Sequence, residues 1–133
     1  MIYLDASALV TLITGRRFVD DLQSFLATSP DVPMGTSTVG FVETVRTLDK
    51  FGSFPTLLPD LLDQFTEILL TDEIRDRAAT LPGTIRTLDA IHVASAQAID
   101  EALVALVTYD RRMLDIADSF GLPTAAPGLG QRG

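Results

Sequence analysis

Short, wholly apolar runs alternate with helix-length amphipathic stretches along this chain, and that alternation restricts the fold more than any other feature. The runs "IYL" (2–4), "ILL" (68–70) and "LVALV" (103–107) carry no charged residue. A strand that is apolar on both faces is one covered on both faces, as strands of parallel sheets are. Apolar strands separated by helices imply crossover connections and a mostly parallel sheet. The expected class is therefore α/β, with helices on both sides of the sheet. In such folds ligands sit beyond the carboxyl ends of the strands, where the strand order reverses.

The elements follow in order. After the strand "IYL", "SALVTLITG" reads as a helix with Ser7 near its start and Gly15 as its stop. "FVDDLQSFLA" is a second helix, apolar at Phe18, Leu22, Phe25 and Leu26, and "DVPMGTS" a short strand. "TVGFVETVRTLDKFG" predicts a helix stopping at Gly52, and "TLLPDLLDQFTE" another with Pro59 in its first turn. The strand "ILL" leads to the helix "TDEIRDRAATL", capped by Thr71 or Asp72. The long helix "TLDAIHVASAQAIDEA" is expected to be capped by Thr87; the strand "LVALVTYD", the helix "RRMLDIADSFG" and an edge strand "LPTAA" close the pattern.

At 133 residues the chain is the size of one domain. Its end, "APGLGQRG", is rich in Gly and Pro, so the domain is expected over 1–126 with a loose tail over 127–133. Cysteine is absent, which excludes disulfides, thiolate metal sites and thiol catalysis. No signal-peptide pattern opens the chain and no apolar run is long enough for a membrane span, so a cytoplasmic location without membrane attachment is expected.

The formal net charge of −8 argues against a nucleic-acid partner, since phosphates favour basic surfaces. Carboxylates that hold divalent cations would reverse that argument locally. Their placement therefore decides more than their number. "IYLDAS" and "LVTYDRR" share one design, an apolar strand running into Asp: Asp5 in one, Asp110 in the other. Both are expected at the same edge of a parallel sheet, and neighbouring anions there call for a proton or a cation between them. Glu43 sits among Val39, Val42 and Val45, and Asp89 opens an apolar helix of small residues. Each acid alone has a plain structural account. Asp5 is a helix cap, Glu43 a partner for Arg46 worth about 0.2–0.5 kcal/mol, and Asp89 a charge on a helix dipole. Together they suggest a cluster. Their hard oxygens suit Mg²⁺ or Mn²⁺, ions that polarise phosphoryl groups and activate water.

With "LDAS" at the first strand, "TSTVGFVETVR" around Glu43, "LDAIHVASA" around Asp89 and "VTYDRRMLDIADSFGL" around Asp110, the chain resembles PIN-domain ribonucleases of the VapC toxin type. The resemblance runs in family order over nearly the whole chain. It implies a three-layer α/β/α sandwich with the strands of Asp5 and Asp110 adjacent. It implies Mg²⁺- or Mn²⁺-dependent endonucleolytic cleavage of RNA, with Asp5, Glu43, Asp89 and Asp110 as the acids that bind metal and catalyse. Ser7, Thr108 and Asp115 match positions of supporting polar residues. It also implies a homodimer, and a VapB-like antitoxin that blocks the site and assembles with the toxin into a heterotetramer or larger particle.

RNA must approach an acidic pocket, so basic groups are needed at its rim. Arg111 and Arg112 follow Asp110 directly and are the first candidates; Arg16, Arg17, Arg46 and Arg86 are others. The single histidine, His92, lies three residues beyond Asp89; it is either a packed helix residue or a supporting partner of the acids. Two rival enzymes fit poorly. A haloacid-dehalogenase-like phosphatase wants a second Asp at the position of Ser7, and a receiver domain wants a lysine late in the chain, where only Lys50 exists. The remaining alternative is a non-catalytic PIN-like module that binds RNA or protein.

Overall fold

A computed structural model describes residues 1–130. Among these residues five strands form one sheet: β1 (Ile2–Leu4), β2 (Met34–Ser37), β3 (Thr66–Ile68), β4 (Ala105–Val107) and β5 (Thr124–Ala125). Their order is β3-β2-β1-β4-β5, and every neighbouring pair is parallel. Seven helices connect them: α1 (Ala6–Thr14), α2 (Val19–Ala27), α3 (Thr38–Leu48), α4 (Leu57–Gln64), α5 (Asp72–Thr80), α6 (Thr87–Ile99) and α7 (Arg111–Ser119). The chain builds outward from β1 through β2 to β3, then returns to the other side of β1 for β4. The order therefore reverses beside β1.

Side chains alternate across a strand, and here the alternation divides the interior into two cores. Ile2 and Leu4 of β1, with Ala105 and Val107 of β4, pack against Leu9, Leu22, Phe41, Leu48 and Leu61 from α1 to α4. Tyr3 and Leu106 point the other way, onto Val93 and Ala96 of α6 and Met113 and Ala117 of α7. α5 lies against α6. The result is the three-layer α/β/α sandwich that the resemblance implies.

Local chemistry fixes the helix starts. Ser37 accepts the Gly40 N–H at 3.0 Å to open α3, and Thr71 accepts that of Ile74 at 3.2 Å to open α5. Gly15 ends α1 in the left-handed conformation at φ 67°, which only glycine adopts without strain. Gly40 has a different role. A Cβ there would lie 2.0 Å from Thr36 Oγ1, so only glycine lets α3 settle this closely on β2.

Several boundaries differ from expectation, for physical reasons. The strand expected over 68–70 lies at Thr66–Ile68, and Leu69 and Leu70 are exposed at 62% and 47%. β3 pairs only with β2, whose last residue, Ser37, is already the cap of α3, so the ladder ends at Ser37↔Ile68. The helix expected to run to Gly52 ends at Leu48, and a turn carries the chain onward. Thr87 is the first residue of α6 rather than its cap; Arg86 holds the cap position without a side-chain bond. Of the stretch expected as a loose tail, 127–130 form a turn in which the Pro127 carbonyl accepts the Tyr109 hydroxyl at 2.9 Å. Residues 131–133 lie outside the described residues.

Candidate active site

The register of β1 against β4 builds the centre of the site. Leu4 pairs with Val107, so the next residues, Asp5 and Thr108, leave the sheet side by side. The Thr108 hydroxyl donates to Asp5 Oδ2. Ser7 donates to Oδ1 at 2.6 Å, and the Ala8 N–H reaches the same oxygen at 3.0 Å, which makes Asp5 the cap of α1. The same two hydroxyls accept from the neighbouring turn: Tyr109 N–H to Ser7 Oγ at 2.9 Å and Asp110 N–H to Thr108 Oγ1 at 3.0 Å. Ser7 and Thr108 thus join the two strand-end turns, and their donor capacity is used up on Asp5. Asp110 follows as the cap of α7, accepting the Arg112 N–H at 2.9 Å.

Glu43 reaches the same place from α3. Its Oε1 lies 2.5 Å from His92 Nε2, on α6. The other nitrogen, Nδ1, lies 2.6 Å from the Tyr3 hydroxyl. His92 and Tyr3 are both buried, at 3% and 0% exposure. Asp89 stands one helical turn before His92 and is half-buried.

Burial and like charge set the electrostatics. Asp5 is held above the usual carboxylate range by burial, against the pull of His92, Ser7, Thr108 and the Ala8 N–H. Asp89 is also raised, first by burial and next by the Asp110 carboxylate, with His92, Arg86 and Arg112 opposing. Donors and cations of the chain itself thus leave negative charge incompletely offset.

Asp5, Glu43, Asp89 and Asp110 all line one cleft of about 420 Å³, together with Ser7, Thr47, His92 and Tyr109. Arg16 lines it too, with its guanidinium 4.4 Å from the centre of the Phe51 ring. Arg111 and Arg112 are exposed at the start of α7, outside that lining, although the charge of Arg112 is felt at Asp89. Asp115 is exposed further along α7 and is not part of the lining. Tyr3 had looked in the sequence like an ordinary core residue of the first strand. What distinguishes it is its face: it points toward α6 while its neighbours Ile2 and Leu4 point away.

The donor set suits a hard divalent cation, since every acid of the cleft offers carboxylate oxygen and the surplus charge is negative. Among the described residues, however, no three Asp, Glu or His side chains form a ready-made ligand set. The bonds explain the spacing. Asp5 is turned to its hydroxyl donors, Glu43 to His92, and Asp110 to the N-terminus of α7.

Comparison with known proteins agrees with this architecture. The sequence profile of the PIN domain matches residues 2–119. Ribonuclease VapC47 of Mycobacterium tuberculosis is 37% identical over 133 residues, spanning 96% of this chain and 98% of that protein. Ribonuclease VapC46 of the same species is 37% identical over 128 residues, spanning 95% and 97%. Among solved structures, a toxin–antitoxin complex from Klebsiella pneumoniae aligns with a TM-score of 0.73 at 23% identity, covering 96% of this chain and 98% of its own. That last likeness speaks for the fold; the sequence matches speak for the lineage. The chain belongs to the PIN-domain family, among its VapC-type ribonucleases.

Proposed function

We propose that the protein is a toxic endoribonuclease of a toxin–antitoxin pair, hydrolysing RNA phosphodiester bonds with Mg²⁺ or Mn²⁺ held by Asp5, Glu43, Asp89 and Asp110. One observation carries the reading: acids from four separate elements line one cleft beyond the carboxyl ends of β1 and β4. Two of them are held above the usual carboxylate range there. Capping accounts for the places of Asp5 and Asp110; a cation would offset the negative charge that four acids gather in one cleft.

The bound ion would supply positive charge that polarises the scissile phosphate and acidifies water. The chain's own residues do the rest. Ser7 and Thr108 hold Asp5 in one orientation. In this reading water is the attacking group, and Ser7 and Thr108 serve to orient Asp5. Arg16, in the lining, is placed to meet a phosphate at the cleft mouth. The RNA is drawn into an acidic protein only once the cleft charge has been offset.

The partner in this reading is a VapB-like antitoxin, and the working unit a homodimer that it binds and silences. A groove of about 510 Å³ adjoins the cleft through Glu43 and Thr47 and is lined by Val39, Val42 and Leu88 beside Arg46 and Lys50. An antitoxin segment with apolar anchors suits it. An RNA substrate points to the cytoplasm as the site of action; no helix among the described residues is long and apolar enough to cross a membrane.

The alternative is a non-catalytic PIN-like module that binds RNA or protein. Cleavage of total RNA separates the two readings. The nuclease cuts with Mg²⁺ or Mn²⁺, stops with EDTA, and loses activity in Asp5→Asn and Asp110→Asn; the module never cuts, whatever ion is added.

A further inference from the structure

Resting on the nuclease reading, we propose that Tyr3 and His92 form a hydrogen-bonded relay that fixes Glu43 for cation binding, making both of them positioning residues. The bonds run Tyr3 hydroxyl to His92 Nδ1 at 2.6 Å, and His92 Nε2 to Glu43 Oε1 at 2.5 Å. The proton positions follow from the partners. A phenol hydroxyl donating to Nδ1 leaves the proton on Nε2, and that N–H donates to the carboxylate. Were both nitrogens protonated, Nε2 would still donate. Glu43 therefore meets a donor in either form, with Oε1 engaged and Oε2 left for a cation.

The three residues belong to three layers of the sandwich: β1 in the sheet, α6 on one face, α3 on the other. An acid on an otherwise mobile side chain is thereby registered against the strand that delivers Asp5. The tyrosine ring meets the imidazole edge-on, with ring centres 5.8 Å apart, and both side chains are buried. A fold built for stability alone would use apolar side chains here, because every buried polar group must find a partner.

Hydrogen-bonded supports behind metal-binding groups typically contribute about 10–100-fold in affinity. The experiment is Mn²⁺ titration of the intact protein, without RNA, followed by the paramagnetic signal of the free ion, alongside thermal unfolding and cleavage rates. Tyr3→Phe is expected to weaken Mn²⁺ binding about 3–10-fold, and His92→Ala about tenfold or more. His92→Gln, whose amide N–H can stand where Nε2–H does, is expected to recover most of the loss. Cleavage should suffer in kcat at low Mn²⁺ and recover at high Mn²⁺, with KM for RNA unchanged. Wild-type Mn²⁺ affinity in Tyr3→Phe, or equal loss in His92→Ala and His92→Gln, overturns the relay. Glu43→Gln and Asp5→Asn separate the two levels. If they too bind Mn²⁺ and cut normally, the four-acid site is wrong; if the wild type never cuts RNA, whatever ion is added, the nuclease reading itself fails; if the two acid variants fail while Tyr3→Phe is normal, only the relay does.

Discussion

Asp5 and Asp110 occupy the same place in two copies of one local design. Each follows an apolar strand, and each caps the helix that comes next. Their surroundings nonetheless differ. Asp5 is 4% exposed, meets three donors and is still pushed above the usual carboxylate range. Asp110 is exposed, and its carboxylate receives one backbone N–H. The lesson is that capping and cation binding are not competing explanations. A cap satisfies part of a carboxylate; burial decides how much demand for positive charge remains.

The largest test of this contrast is cleavage. Asp5→Asn and Asp110→Asn are each expected to reduce the rate of RNA cutting by on the order of 10³-fold, the scale of losing one group that meets transition-state charge. A normal rate in Asp110→Asn would reduce that residue to a helix cap and break the pairing.

Stability in EDTA should separate the two residues where activity does not. Asp5→Asn removes an incompletely offset buried charge while keeping an oxygen for Ser7 and Ala8, so its unfolding temperature is expected to rise by a few degrees. Asp110→Asn should raise it less, because Asn caps a helix about as well as Asp and only the repulsion with half-buried Asp89 is relieved. Added Mn²⁺ should stabilise the wild type and not Asp5→Asn.

The pH dependence sharpens the same point. Asp5 and Asp89 have raised folded-state values, so between the ordinary carboxylate value and the raised one the folded protein binds more protons than the unfolded chain. Stability from these groups therefore increases as the pH falls through that window and is lost as it rises. Metal-free wild type should show this gain in unfolding temperature on mild acidification, and Asp5→Asn should show less of it. A profile identical in both proteins would contradict the burial argument.

The smallest effect concerns the rim. Arg16→Glu and Arg112→Glu are expected to weaken RNA binding several-fold at low salt, the effect of one or two phosphate contacts. Arg75→Glu should do little, since Arg75 lies exposed on α5 beside Asp72 and Asp76. Equal losses in all variants, measured by fluorescence anisotropy, would place the RNA elsewhere.

Much of this was legible in the sequence because it is local. The strand–Asp–helix pattern announced β1, α1 and the two acids at strand ends, and Thr71 announced α5. What was not legible depends on contacts between distant residues. The strand expected at 68–70 moved because the length of β2 limits its partner, which no window around Ile68 can show. Arg111 and Arg112 follow Asp110 in the chain, yet Arg16 lines the cleft, because α1 ends beside it. The sequence leaves His92 open between a packed helix residue and a supporting partner of the acids; only the fold brings Glu43, 49 positions away, to 2.5 Å from it. The convergence of the acids could be guessed from their order, whereas the burial that raises Asp5 and Asp89 is a property of the assembled layers.

The crowded acids are proposed to form a cation site. Anomalous scattering from crystals soaked in Mn²⁺ tests it most directly. A peak is expected in the cleft, with Asp5 and at least two of Glu43, Asp89 and Asp110 turned onto it, and no such peak in crystals of Asp5→Asn. A cleft without manganese in wild-type crystals whose protein still cuts RNA would contradict it.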